Sequence, residues 1–221
     1  MTRRTLTGLC ALGAIACSLA AAPVLVATSP EARSTSSLAA ESAASAWKVD
    51  PVHSCALFRV RHLGAGFFWG RFNDVGGTIN LDPADPKSLS MNIAIDVESV
   101  DSGHPDLDRH LKSPDFFDSK EFPKMSFKST SATPVPTTKR SDDPLMAWDV
   151  TGKLSVHGKS QEMTARVTYW GANDAGRGMK AGFEATFKMK RSDFGMNYGV
   201  ENKALGDMVT VTLAFEAGKD G

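Results

Sequence analysis

Histidine, cysteine and clustered charge are the features of this 221-residue chain with the chemistry to form a site: it has five histidines and three cysteines. The densest polar run is His104-Pro105-Asp106-Leu107-Asp108-Arg109-His110. Imidazole and carboxylate together are good ligands for transition metals. The same run also reads as a polar turn entering a capped helix, or as a contact for a charged head group. His53 and Cys55 share one face of an alternating segment, but two ligands do not make a metal centre, and no metal is assigned. His62 shares the parity of Phe58 and Val60 and should point inward, either as a satisfied core histidine or as a polar anchor at the end of an apolar cavity. Acid–base chemistry would need an inward pair such as His62 with Asp108 or Arg109. The nucleophile elbow, the phosphate loop, His-Glu-x-x-His and paired Cys-x-x-Cys are absent. No catalytic residue is assigned, and the chain is read as a non-enzyme.

The elements that position these groups are strands. From Trp47 onward the dominant period is two. Leu89, Met91, Ile93, Ile95 and Val97 alternate with polar partners, as do Trp148, Val150, Gly152, Leu154 and Val156. Met163 to Tyr169, Ala181 to Met189 and Val209 to Phe215 repeat the pattern. Strict alternation gives one apolar and one wet face, which belongs to antiparallel sheet. Ser54–Leu63, Gly70–Leu81 and Met125–Thr130 complete a set of about eight. Gly76-Gly77, with Phe72 out of phase, suggests a bulge or bend. Pro105–Asp118 breaks the pattern with helical spacing. Ser113-Pro114 there is a helix-start signal, so one or two short helical turns are expected. The fold class is therefore all-β, a closed barrel or a sandwich. An eight-stranded barrel is just wide enough to fill with side chains or to hold one small ligand. Phe67-Phe68-Trp69, in a Gly-flanked loop, reads as a membrane-touching lip or as a plug folded over the barrel end, and Phe116-Phe117 carries the same ambiguity.

Composition narrows the function. The 25 basic and 25 acidic side chains cancel, which argues against a nucleic-acid partner. The N-terminus has the three-part pattern of an export signal over residues 1–27: Arg3-Arg4, an uncharged apolar run, then small residues. An uncleaved membrane tether is the alternative. Residues 28–46, rich in Ser, Ala and Thr, read as a disordered linker. A domain over 47–221 follows. Cys10 and Cys17 leave with the signal, so Cys55 has no partner for a disulfide. The expected location is the periplasm.

Several strings together resemble a known family. They are Asp50-Pro51-Val52-His53-Ser54 with Phe58-Arg59-Val60-Arg61-His62-Leu63; Ser99-Val100-Asp101-Ser102-Gly103; Asp108-Arg109-His110-Leu111; Asp115-Phe116-Phe117-Asp118; Phe122-Pro123-Lys124-Met125-Ser126-Phe127; Leu154-Ser155-Val156-His157-Gly158; and Arg191-Ser192-Asp193-Phe194-Gly195-Met196. In number and order they are similar to the YceI-like proteins. The resemblance implies a closed antiparallel eight-stranded lipocalin-like β-barrel holding a long isoprenoid chain, such as a polyprenyl phosphate or a quinone tail. No cofactor is required by it. Strand parity then places the tail against Phe58, Val60, Ile93, Phe127, Trp148, Leu154, Phe183 and Phe187. A charged head group stays at the mouth unless paired, where Arg61, His62, Arg109, His110, Phe116 and Phe117 are the candidates. The rival readings are an enzyme or electron-transfer accessory using a prenyl lipid or quinone, and a ligand-free structural or stress-related protein with a solid core. Transient membrane contact is expected of a lipid carrier. The oligomeric state is left open, a dimer included.

Overall fold

Alternating side chains turn one face of each strand inward, and the strands close on themselves. The computed structural model describes residues 46–138, 140, 143–174, 176 and 178–219. The expected leader and linker lie outside the described residues, except Ala46, which opens the first strand. Eleven strands follow: β1 (Ala46–Val49), β2 (Cys55–His62), β3 (Gly66–Phe72), β4 (Val75–Asp82), β5 (Asp85–Asp96), β6 (Val100–Asp101), β7 (Lys124–Val135), β8 (Met146–Val156), β9 (Lys159–Asp174), β10 (Met179–Lys190) and β11 (Leu205–Gly218). One helix, α1 (Pro105–Leu111), and 3-10 turns at Val97–Ser99 and Arg191–Phe194 complete the described elements.

All pairings are antiparallel, and β1, β4, β5, β7, β8, β9, β10 and β11 form a closed eight-strand ring of hydrogen bonds. Eleven strands make eight staves because two staves are broken and the two-residue β6, paired only with β3, lies outside the ring. β1 and β2 act as one bent strand, since β11 pairs with β1 at Ala217 and Gly218 and with β2 from Ala214 onward. β3 and β4 are likewise one stave, paired to β2 and β1 respectively. Inward parity flips at each break: Trp47 and Val49 are buried before the first, Ala56 and Phe58 after it. Phe72 precedes the second break at Asn73-Asp74, and Val75, Ile79 and Leu81 follow it.

That second break corrects one expectation. Gly76-Gly77 pairs in regular register with Ala94 and Ile93. The change of phase lies at Asn73-Asp74, where the chain is held by Asn73 N–H to Ser99 O and by Asp96 N–H to Asp74 O. Gly77 is needed for close approach instead: at φ +132° its Cβ position lies 2.1 Å from Asn92 O. No other residue tolerates both constraints.

The helical segment also starts earlier than Ser113-Pro114 suggests. His104 caps α1 by accepting from Asp106 N–H, and Pro105 takes the first helical turn, where its missing N–H costs nothing. Ser113 instead closes the helix by donating to His110 O. The chain then turns through Phe116 and Phe117 back to β7.

One end of the barrel is solid. Trp47, Ile79, Leu81, Trp148 and Phe183 are buried there. Trp148 Nε1 donates to Pro86 O at 2.7 Å, so the indole is buried with its polar atom satisfied. Tyr169 and Phe183 pack with ring centroids 5.2 Å apart. Each large side chain removed from water in this way contributes roughly 1.5–3 kcal/mol.

Candidate functional site

The other end encloses a cavity of about 540 Å³, within the range of roughly 300–1,000 Å³ usual for ligand pockets. Its wall is built from the inward positions of eight strands. Phe58 and Val60 come from β2, Phe68 from β3, Ile93 from β5, Phe127 from β7, Leu154 from β8, Ala165 from β9 and Phe187 from β10. β11 adds Val209, Val211 and Leu213. Many of these are half-buried although they face the interior: Phe68, Phe127, Met163, Phe187, Val209 and Val211 pack against the core and keep accessible surface. Small residues make the room. Gly70 lies across from Phe58, and a Cβ there would meet the Phe58 ring at 2.4 Å.

Five of the nine methionines line this wall: Met91, Met125, Met163, Met189 and Met196. Thioether side chains are unbranched and polarisable, so they re-pack around ligands of varied shape.

The mouth is covered from one side by the α1 segment. Leu107, His110, Leu111, Phe116 and Phe117 line the cavity. Phe117 meets Phe58 and Phe72 edge-on at 6.1 and 5.1 Å between centroids. His110 stacks edge-on against Phe116 and Tyr198, and its Nε2 lies 3.0 Å from Asp115 Oδ2. The opposite rim is the 191–204 connection between β10 and β11. Arg191 is buried in it, with Nε on Gly206 O, Nη1 on Met196 O and Nη2 on Leu205 O. Burial pushes this guanidinium below the usual arginine range, opposed by the charge of Asp207.

Six of the eight expected tail contacts therefore sit on one cavity: Phe58, Val60, Ile93, Phe127, Leu154 and Phe187. Trp148 and Phe183 do not. Both point inward, as their parity requires, but they fill the solid end. Of the expected mouth residues, His62, His110, Phe116 and Phe117 line the cavity, whereas Arg61 and Arg109 face outward. Arg61 donates to Gly64 O at 3.1 and 2.7 Å, and Arg109 pairs with Asp106 one helical turn away. Arg191 was the cation that parity missed. It sits in a turn, so no alternation marks it, but the string Arg191–Met196 carried the signal.

His62 is not brought to Asp108 or Arg109. Asp108 accepts from Ser102 N–H and Oγ at 2.7 and 2.6 Å, so the His104–His110 run is a polar turn entering a capped helix. Asp50, His53 and Glu216 do converge on the outer wall. Lys180 Nζ already lies 3.4 Å from Asp50 and 3.7 Å from Glu216, so a side-chain ammonium supplies the positive charge there. The His53 hydrogen bond, followed by the Val52 N–H, lowers the Asp50 carboxyl to about 2. Cys55 is a half-buried free thiol outside this group.

Residues 47–217 match the family model described as a YceI-like domain. The proteins called YceI from Salmonella arizonae and Salmonella paratyphi B are 35% identical over 154 residues, 68% of this chain and 76% of theirs. BcnA of Burkholderia cenocepacia superposes with TM-score 0.63 at 26% identity, over 76% of this chain and 99% of that one. A Campylobacter jejuni YCEI protein gives TM-score 0.61 at 26% identity, over 73% and 90%. A polyisoprenoid binding domain from Saccharophagus degradans gives TM-score 0.60 at 13% identity, over 79% and 98%.

Proposed function

The chain belongs to the YceI-like family, and from that premise we propose that its barrel binds a long-chain amphiphilic lipid, with a polyisoprenoid as the class to test first. The carrying observation is the apolar cavity, walled by Phe58, Phe127, Phe187 and Val211, whose inward surface stays accessible at one end of an otherwise packed barrel. The polyisoprenoid of the Saccharophagus degradans domain enters as a ligand class only, since at 13% identity that likeness carries the fold alone.

The energetics favour a long tail. Each buried methylene contributes about 0.8 kcal/mol, so a five-carbon unit gives roughly 3–4 kcal/mol before the tail is ordered. Affinity saturates near about −18 kcal/mol, so cavity length rather than affinity sets chain-length preference. The polar end belongs at the rim, among His62, His110 and Tyr198, because a charged group does not follow the tail inside without a partner. Lipid holding, not turnover, is the activity proposed. We place the protein in the periplasm, delivered by the leader at residues 1–27.

The test is organic extraction and mass spectrometry of the protein, expressed with its own leader, recovered without detergent and compared with a mock purification. A near-stoichiometric prenyl lipid is the expected result. A different long-chain amphiphile would replace the isoprenoid while keeping lipid binding. A protein that carries no lipid and takes up none would overturn both. Cell fractionation of the same culture tests the location.

A further inference from the structure

The rim of the barrel at the β2–β3 hairpin changes face with every residue. Phe68 points into the cavity. Its neighbours Phe67 and Trp69 point out and are 51% and 53% exposed, and Leu63 at the hairpin tip is 66% exposed. Cross-strand register sets Arg61 opposite Phe67 and Arg59 opposite Trp69. The Arg59 guanidinium lies 4.6 Å from the Phe67 ring and 5.4 Å from the Trp69 ring, and Arg61 lies 5.5 Å from Phe67. Met208, in the β11 bulge beside them, is a further exposed apolar side chain.

The charge of this face is not balanced locally. Among the described residues neither Arg59 nor Arg61 has a carboxylate within ion-pair distance, whereas Arg71, next along the same face, is matched by Asp101. Asp207, in the bulge across from Arg61, is already engaged by Ser192 N–H and Oγ at 2.9 and 2.8 Å. Arg59 Nε is buried with no hydrogen-bond partner. On a chain of zero formal charge, two exposed rings and two unmatched guanidinium groups are thus gathered at the cavity mouth.

We propose that this hairpin face docks the barrel mouth on an anionic lipid bilayer, with Leu63, Phe67 and Trp69 in the interfacial layer and Arg59 and Arg61 against lipid phosphates. Aromatic rings and basic side chains are the mixture that the membrane–water interface favours. The position supplies the purpose, and here the inference rests on the proposed lipid ligand. A tail leaving the bilayer over Phe67 meets Phe68 one residue on, inside the cavity, and is spared a passage through water.

Trp69 gives a local readout. The first tryptophan in the chain is Trp47, so the apolar N-terminal run is silent in tryptophan emission and the full chain serves. The difference between wild type and Trp69→Phe isolates the Trp69 emission, which is then titrated with phosphatidylglycerol or phosphatidylcholine vesicles carrying brominated acyl chains. The expected result is quenching of the Trp69 component by the anionic vesicles. In Arg59→Gln/Arg61→Gln the apparent affinity should fall roughly thirty-fold, and added salt should weaken it in the wild type, where folding of the variant is not in question. No quenching, or equal quenching by neutral vesicles, would overturn the proposal. A Trp69 component that responds to protein concentration and ignores vesicles would assign the face to a second copy, and would also overturn it. Quenching does not depend on cargo. Loss of docking with a lipid still recovered by extraction leaves the cavity reading standing, and docking by a protein that carries no lipid leaves the docking.

Discussion

Arg191 is a cation set into an apolar wall, and its three carbonyl partners explain why it is there. One planar fork ties together Met196, Leu205 and Gly206, which define the rim between β10 and β11. Arg191→Met leaves those carbonyls without their donor and should cost about 2–4 kcal/mol. Arg191→Lys should restore less than half, because a single ammonium does not reproduce the fork. Urea unfolding measures both, and a loss under about 0.5 kcal/mol for the Met variant would refute the staple. Asp50 makes a second residue-scale case. Its carboxyl sits at about 2, against an ordinary 3.8, chiefly through the His53 hydrogen bond. A depressed carboxylate contributes stability that is present above the unfolded value and is lost as pH falls through the folded one. The stability advantage of wild type over Asp50→Asn should therefore hold at pH 5 and close between about pH 4 and pH 2, followed by urea unfolding at each pH. The local partner His53 lies three residues along the chain, whereas Lys180, 130 residues away, was not legible in the sequence. The inward parity of Phe58, Ile93 and Phe187 was.

At the scale of elements, the period of two revealed nearly everything that is regular. It marked the eight staves, because a half-buried antiparallel strand imposes alternation on its own sequence. It did not mark the two breaks. At Asp50–Ser54 and Asn73-Asp74 the chain reverses its inward parity without leaving the wall, so Phe72 looked like an error of phase. The helix lies in the expected Pro105–Asp118 segment and starts at Pro105, but the start signal at Ser113-Pro114 opens no second helix, because Pro105 and Pro114 are both plausible first-turn prolines and only packing selects between them. Leu111, buried on α1, decides how firmly that segment covers the mouth. Leu111→Ala should cost about 2–4 kcal/mol where it packs. The loss should appear as faster amide exchange confined to residues 105–122, which carry few ladder bonds to the barrel. A uniform increase across β8 to β11 would show instead that α1 is integral to the global unit.

For the whole molecule, the same inward alternation builds two different interiors. At one end Trp47, Ile79, Trp148 and Phe183 are buried as solid core. At the other, Phe58, Phe127, Phe187 and Val211 stand around space. Parity could not tell these ends apart, which is why Trp148 and Phe183 were expected on the tail. The distinction depends on volumes summed across strands, such as Gly70 facing Phe58, and those sums need the register. The central claim is that this space receives one lipid tail, and Val211 is the place to test it. It pairs with Phe58 and Phe187, faces the cavity, and has room beside it. Val211→Trp should fill the cavity at a strain of about 1–3 kcal/mol or less, with thermal unfolding to confirm that the barrel still forms. The measurement is a titration of delipidated wild type and delipidated Val211→Trp with a long-chain prenyl phosphate. Saturation near one lipid per wild-type chain, with none taken up by the folded variant, is the expected result. Equal uptake by both, or none by the wild type, would contradict it.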